Sequence, residues 1–276
     1  MKTCKTHHAS PLPFMGQKRR FIKKFKDLLL NHSADAVYVD LFGGSGLLSH
    51  TVKQFYPDAK VIYNDYDNFN QRLQHIDQTN KLIADLRELV KDLPKEKAIP
   101  NHRRADLLER VKLEEDKGCY IDYITLSSNL LFSMTFAHNF KQLQKQTLFN
   151  NLRQSDYDTA GYLAGVEWVR YDYKELFAKY KNVPNVVFLV DPPYLSTDNN
   201  NYKSTHWKLG DHLDVLSVLD VPHYFYFTSN KSHIIELCEW MERKVPGANP
   251  FKHSSIYSHQ TKPNKSSTYT DIMIVK

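Results

Sequence analysis

Asn185-Val186-Val187-Phe188-Leu189-Val190 runs directly into Asp191-Pro192-Pro193-Tyr194. The first six residues are apolar and rich in β-branched side chains, which predicts a buried strand rather than a helix. The next four put a carboxylate, a stiff proline turn and a flat ring at the strand's carboxyl end. In open α/β sheets ligands bind at that end. Asp, Pro and Tyr are also ordinary at a strand–turn junction, so the tetrapeptide alone leaves both readings open.

Working outward, Ala36-Val37-Tyr38-Val39-Asp40-Leu41 reads as a first strand and Phe42-Gly43-Gly44-Ser45-Gly46 as a glycine-rich turn. A helix from Leu47 to Phe55 and a strand from Lys60 to Asn64 complete a βαβ unit. Asp65 follows Gly43 by 22 residues, at the next strand's end. A carboxylate there can accept hydrogen bonds from both hydroxyls of a ribose. Glycine lets backbone approach a ligand closely. The pair therefore predicts a nucleoside-containing ligand, NAD among the candidates. The turn lacks the third glycine of GxGxxG, which weighs against a dinucleotide, and no GxxxxGK[ST] is present, which weighs against an NTPase.

Strand rhythm stops from about residue 75 to 160 and returns at Gly165 to Tyr171, ending in Asp172. Helices are predicted over Gln17–Leu30, Asn68–Leu93, Leu107–Glu115, Lys174–Lys179, Asp211–Leu219 and Ser232–Glu242, with a further apolar periodic stretch over Tyr120–Phe136. His223 to Phe227 is a further strand. Phe251–Tyr257 and Thr268–Val275 form a C-terminal hairpin around the basic loop Thr261–Ser267. The expected domains are 1–74 with 161–276, and an inserted, mainly helical module over 75–160. Leu195–Leu209 reads as a polar loop.

The chain has 276 residues, 41% of them hydrophobic and 25% charged, which suits a globular protein with a substantial core. No apolar run is long enough to span a bilayer. The first residues lack signal-peptide order, so a cytoplasmic location is expected. Cys4, Cys119 and Cys238 form no CxxC pair, and none of the 13 histidines lies in HExxH or HxH. No metal is expected. Net charge is +6, and residues 1–30 hold eight Lys and Arg against Asp27 alone. That balance favours an anionic partner, although a solvated helix face explains many such runs.

The ordered set of motifs resembles a known family. Asp40-Leu41-Phe42-Gly43-Gly44-Ser45-Gly46 is similar to the FxGxG signature of S-adenosyl-L-methionine (AdoMet)-dependent methyltransferases. Asp191-Pro192-Pro193-Tyr194 resembles the catalytic signature of adenine-specific (N6) DNA methyltransferases. Pro13-Phe14-Met15-Gly16-Gln17-Lys18 is similar to the motif that precedes the glycine loop in the Dam-like group, with Met15-Gly16-Gln17 where two glycines are more common. The order, with an insertion before DPPY, matches that group.

The resemblance implies an α/β, Rossmann-like sheet of about seven strands with AdoMet as cofactor and double-stranded DNA as partner. It implies site-specific methylation of a flipped-out adenine, by a monomer in action, with a cognate restriction endonuclease as an optional partner. Asp191, Pro192, Pro193 and Tyr194 would be catalytic. Phe14, Gly16, Lys18, Asp40, Phe42, Gly43, Gly44, Gly46, Asp65, Asp172 and Asp191 would hold the cofactor. Asp172 would take the adenine amine of AdoMet, or simply cap the helix that follows. Lys18, Arg19, Arg20, Lys23, Arg103, Arg104, Lys141, Lys145 and Lys265 are candidate DNA contacts. Asn129, Asn139, Gln142 and Gln144 are candidate base readers, and Tyr202, His206 and Trp207 could cover the base. Alternatives are an RNA adenine methyltransferase of the same fold, a nicotinamide dehydrogenase, or a silent DNA-binding homologue.

Overall fold

A computed structural model describes residues 7–132, 135–195, 207–261 and 268–276. In chain order the elements are α1 (Ile22–Leu29), β1 (Val37–Asp40), α2 (Leu47–Phe55), β2 (Lys60–Asn64), α3 (Phe69–Gln74), α4 (Ile76–Leu89), α5 (Asn101–Asp116), α6 (Tyr123–Leu130), α7 (Phe140–Leu143), β3 (Glu167–Val169), α8 (Tyr173–Tyr180), β4 (Val186–Val190), α9 (Leu209–Leu216), β5 (Tyr224–Ser229), α10 (Ile234–Lys244), β6 (Ser255–Thr261) and β7 (Tyr269–Val275).

The chain divides into two compact units. One comprises Thr6–Ala9, Gly16–Asp67 and Tyr162–Lys276. It holds a seven-stranded sheet of order β3-β2-β1-β4-β5-β7-β6. The first five are parallel, while β7 runs antiparallel to β5 and β6 antiparallel to β7. The fold is thus the expected Rossmann-like α/β class with a C-terminal hairpin. Every residue of β4 is buried, which is why its sequence is uniformly apolar instead of alternating. On one face α1 packs Phe25 against Phe225 at 4.8 Å between ring centroids. On the other, Tyr173, Leu176, Val215, Val218, Ile234 and Cys238 from α8, α10 and the α9 region cover β1, β4 and β5. Strand order reverses between β1 and β4. That crevice is the topological switch point at which such sheets bind ligands, and Asp40 and Asp191 mark its two sides.

The other unit comprises Asn68–Gly161 with Ser10–Met15. α3 to α7 bury Leu82, Leu86, Leu107, Val111, Leu126 and Leu143. Its polar centre is an ion pair: Arg72 Nε donates to Asp122 Oδ2 at 3.0 Å, with side chains 9% and 1% exposed. Arg72 Nη2 also donates to the Pro13 carbonyl at 2.8 Å and to Thr125 Oγ1 at 3.1 Å. Asp122 caps α6 by accepting from Thr125 N at 3.0 Å.

Several sequence boundaries move. The first helix begins at Ile22 instead of Gln17, because Lys18 to Phe21 form a turn closed by Phe21 N on Lys18 O at 2.8 Å. The long helix expected from Asn68 to Leu93 is two, broken at His75, which takes φ −104°, ψ 22° while its Nδ1 bonds the Gln71 carbonyl at 2.7 Å. α5 starts six residues earlier than predicted, directly after Pro100, whose missing N–H costs nothing at a helix entrance. The penultimate strand begins at Ser255, since Pro250 to Ser254 form a turn that buries Phe251. No helix among the described residues is long and apolar enough to cross a membrane.

Candidate active site

Asp191 leaves β4 with its side chain 19% exposed, and Lys18 Nζ lies 2.5 Å from its Oδ2. Lys18, at 8% exposure, also donates to the Gly16 carbonyl at 2.7 Å. Its ammonium stands 5.4 Å from the centroid of the Tyr194 ring and 5.9 Å from that of Phe227. Burial raises the Asp191 pKa above the ordinary carboxylate value; Lys18 opposes this by charge and hydrogen bond, Asp271 adds to it, and the Tyr194 hydroxyl opposes it. The buried His212 ring lies beside the Pro193 backbone of the proline turn.

Across the switch point, Asp40 is buried. Ser49 Oγ donates to its Oδ2 at 2.7 Å. Its Oδ1 makes no further hydrogen bond among the described residues, with the Phe42 backbone N–H close enough to act on the carboxylate. Burial pushes its pKa up to about 7, with the Asp191 charge contributing in the same direction. A buried acceptor left unpaired is costly, so this atom marks a place for a donor, most favourably a cationic one.

The glycine turn closes through Gly46 N on Gly43 O at 2.7 Å. Gly43 has an internal reason to be glycine: a Cβ there would lie 2.2 Å from the Tyr63 ring and 2.8 Å from the Asn64 carbonyl. Gly46 has φ +73°, the left-handed region that side chains disfavour. Tyr63 Oη donates to the Gly44 carbonyl at 2.7 Å and lies 3.4 Å from Asp65 Oδ1. Asp65 is buried at the end of β2.

Asn64, which sequence reading passed over, ties three strand ends together. Its Nδ2 donates to the Leu41 and Tyr171 carbonyls at 3.0 Å each, and its Oδ1 accepts from Tyr171 N at 3.0 Å. Phe42 packs with Tyr173 and Trp207, at 4.9 and 6.0 Å between centroids, giving the site an aromatic wall. Phe227 and Asp271 were also missed; both lie beside the Lys18–Asp191 pair but far from it in sequence.

Other candidates are placed differently. Asp172 caps α8, its Oδ1 accepting from Lys174 N at 2.8 Å. Phe14 belongs to the helical unit, edge-on to Phe69 at 5.7 Å. Lys18 is withdrawn into the ion pair, which corrects its reading as a surface phosphate contact. Asn129 is buried, donating to Thr125 O and Tyr157 Oη and accepting from Arg153 N. It is a structural residue, not a base reader. Arg103 pairs with Asp92 at 2.9 Å, and Arg104 donates to the Gln144 and Gln146 carbonyls. Asn139 caps α7 by accepting from Gln142 N. Arg19, Arg20, Lys23, Lys141 and Lys145 are exposed. Lys265, Tyr202, His206 and most of the predicted 195–209 loop fall outside the described residues. Cys119 is partly buried and Cys238 buried, both as free thiols.

Comparison with known proteins adds an independent finding. The family model described as D12 class N6 adenine-specific DNA methyltransferase matches residues 14–231. A protein of Haemophilus influenzae (strain Rd) bearing the name "Putative methyltransferase" is 38% identical over 285 aligned positions, covering 100% of this chain and 95% of that protein.

Proposed function

The chain belongs to the D12 class N6 adenine-specific DNA methyltransferase family, and on that premise we propose that it methylates the exocyclic amine of an adenine flipped out of duplex DNA, with AdoMet as donor. The observation that carries this reading is the partly buried Asp191, paired with Lys18 and followed by a Pro-Pro-Tyr turn at the switch point.

The residues present fit AdoMet. The unpartnered Asp40 Oδ1 suits the cationic α-ammonium of its methionine part, Asp65 its ribose hydroxyls, and Phe42 with Tyr173 a flat apolar surface for its base. AdoMet supplies a methyl group already activated on a sulfonium. Asp191 and the Pro192 carbonyl each accept a hydrogen bond from the target amine. That draws the nitrogen lone pair out of conjugation with the ring and makes it a nucleophile. The two prolines hold that carbonyl without reorganisation, so positioning supplies much of the rate. Lys18 opposes the effect of burial on Asp191 and favours its ionised form, the stronger hydrogen-bond acceptor. Tyr194 stacks on the extruded base, an interaction worth on the order of 1–3 kcal/mol. The base must leave the duplex because a stacked adenine cannot reach a recessed carboxylate.

The test is transfer of tritiated methyl from AdoMet to duplex DNA, with a matched RNA duplex in parallel. The expected product is N6-methyladenine in DNA. A folded protein that AdoMet protects from melting, yet that methylates no DNA, sinks the proposal; methylation of the RNA duplex alone reassigns the substrate.

A further inference from the structure

A second surface adjoins the site in the sheet unit. α1 covers one face of the β5–β7–β6 corner, with Phe21 edge-on to Phe227 at 5.9 Å and Phe25 to Phe225. Strand register sets Phe227, Met273 and Tyr257 in one row on that face. Ser229, Asp271 and His259 form the next row, nearer the carboxyl edge of β5. The β6–β7 register also puts Tyr269 at that edge.

Basic side chains stand over these rings. Exposed Lys24 holds Nζ 4.5 Å from the Tyr257 centroid. Exposed Arg20 donates to the Gln260 carbonyl at 3.2 Å, and its charge is felt at the Tyr269 hydroxyl. Exposed Lys231 lies 4.8 Å from the Tyr269 centroid. Among the described residues, no ion pair joins Arg20, Lys24 or Lys231 to a carboxylate. Innermost in the series is Lys18, on Asp191. Acidic groups are near as well: Asp271 sits in the second row, and Asp27 lies further along α1, away from the carboxyl edge.

Cations resting on rings can be plain glue between a helix and a hairpin. Glue, however, does not require three exposed charges without carboxylate partners at the edge that carries the active site. Alternating cations and aromatic rings are what a nucleic-acid strand needs, since phosphates seek the charges and sugars or bases the rings. We propose that this corner seats the backbone of the DNA strand carrying the target adenine as it leaves the catalytic edge, with Arg20, Lys24 and Lys231 on its phosphates and Tyr257 and Tyr269 as platforms. The proposal rests on the methyltransferase reading for which strand is bound.

The experiment is fluorescence anisotropy of a labelled duplex at several KCl concentrations. Wild type is compared with Arg20→Gln/Lys24→Gln, with Tyr257→Leu, and with Lys244→Gln on α10 as a charge control. Each lost phosphate contact should flatten the plot of log affinity against log salt by about one. The double variant should therefore lose about two units of slope, and Lys244→Gln none. Tyr257→Leu keeps every charge; it should weaken binding with little change in slope. A double-variant slope equal to that of Lys244→Gln, with only a lowered melting temperature, overturns the proposal and leaves the pairs as glue. Wild-type protein that binds no duplex also overturns it. Salt-dependent binding without methyl transfer contradicts the methyltransferase reading alone, and the slopes still decide the surface.

Discussion

The Lys18 ammonium lies 2.5 Å from Asp191 Oδ2, with both side chains largely withdrawn from water. The counter-ion of the proposed acceptor thus comes from the turn before α1, far outside the tetrapeptide. Through this pair Lys18 favours the charged form of Asp191 against the effect of burial.

Replacing Lys18 by Met removes the main influence that opposes burial at Asp191. The carboxyl then holds its proton to higher pH, and the acid limb of the turnover profile moves up. One pKa unit corresponds to about a tenfold loss of the ionised form on that limb. Lys18→Arg should restore much of the profile. Rate against pH from about 5 to 9 reads the outcome; an unmoved limb in Lys18→Met removes the assigned role.

Asp40 gives the fold a pH signature of its own. Its pKa rises to about 7 on folding from an ordinary 3.8. A raised carboxyl pKa stabilises the folded state below the unfolded value, and that contribution is lost as pH climbs through the folded one. Denaturant melts between pH 5 and 8 should therefore show wild type losing on the order of 2–3 kcal/mol that Asp40→Asn does not lose. His32 and His50, each lowered to about 4 by burial, act with opposite sign on acidification. The difference between the two proteins isolates Asp40. AdoMet affinity measured by calorimetry should rise with pH through this range in wild type and not in Asp40→Asn.

Arg72 anchors the helical unit. Arg72→Met leaves Asp122 buried without its partner and frees the Pro13 carbonyl. Breaking such a pair costs about 3–5 kcal/mol. Hydrogen exchange should show amides of α3 and α6 losing protection while those of β4 and β5 keep theirs. Uniform protection across both units would contradict the independence of this network.

Gly43→Ala forces a methyl group into the Tyr63 ring and the Asn64 carbonyl. Both ends of the β1–β2 pair must shift, so thermal stability and AdoMet protection should fall together. Protection lost at unchanged melting temperature would mean that Gly43 serves the ligand instead of the packing.

Much of the fold was legible because its signals are local. β4 and the β1–α2–β2 unit carry uninterrupted apolar runs bounded by glycine or acidic punctuation, and the structure places β2 and α2 where the sequence does. The insertion was legible only as a change of rhythm. Its polar residues look alike in sequence whether they face water or, like Asn129 and Arg72, satisfy one another in the interior. The helix break at His75 depends on one side chain bonding a carbonyl, which no periodicity announces. In the site, Asp191 and Asp65 could be named from their strand ends, and Asp40 only from the motif it opens. The charge states of Asp191 and Asp40 could not, because Lys18, Asp271 and Ser49 reach them only through the fold.

The central claim is that Asp191 drives methylation of adenine in DNA. Methylation-sensitive sequencing of DNA from cells expressing wild type or Asp191→Ala tests it most directly. Wild type should give N6-methyladenine at one recurrent sequence context and Asp191→Ala none, while the purified variant still gains thermal stability from AdoMet. Equal methyladenine from both proteins, or none from a folded wild type, would contradict it.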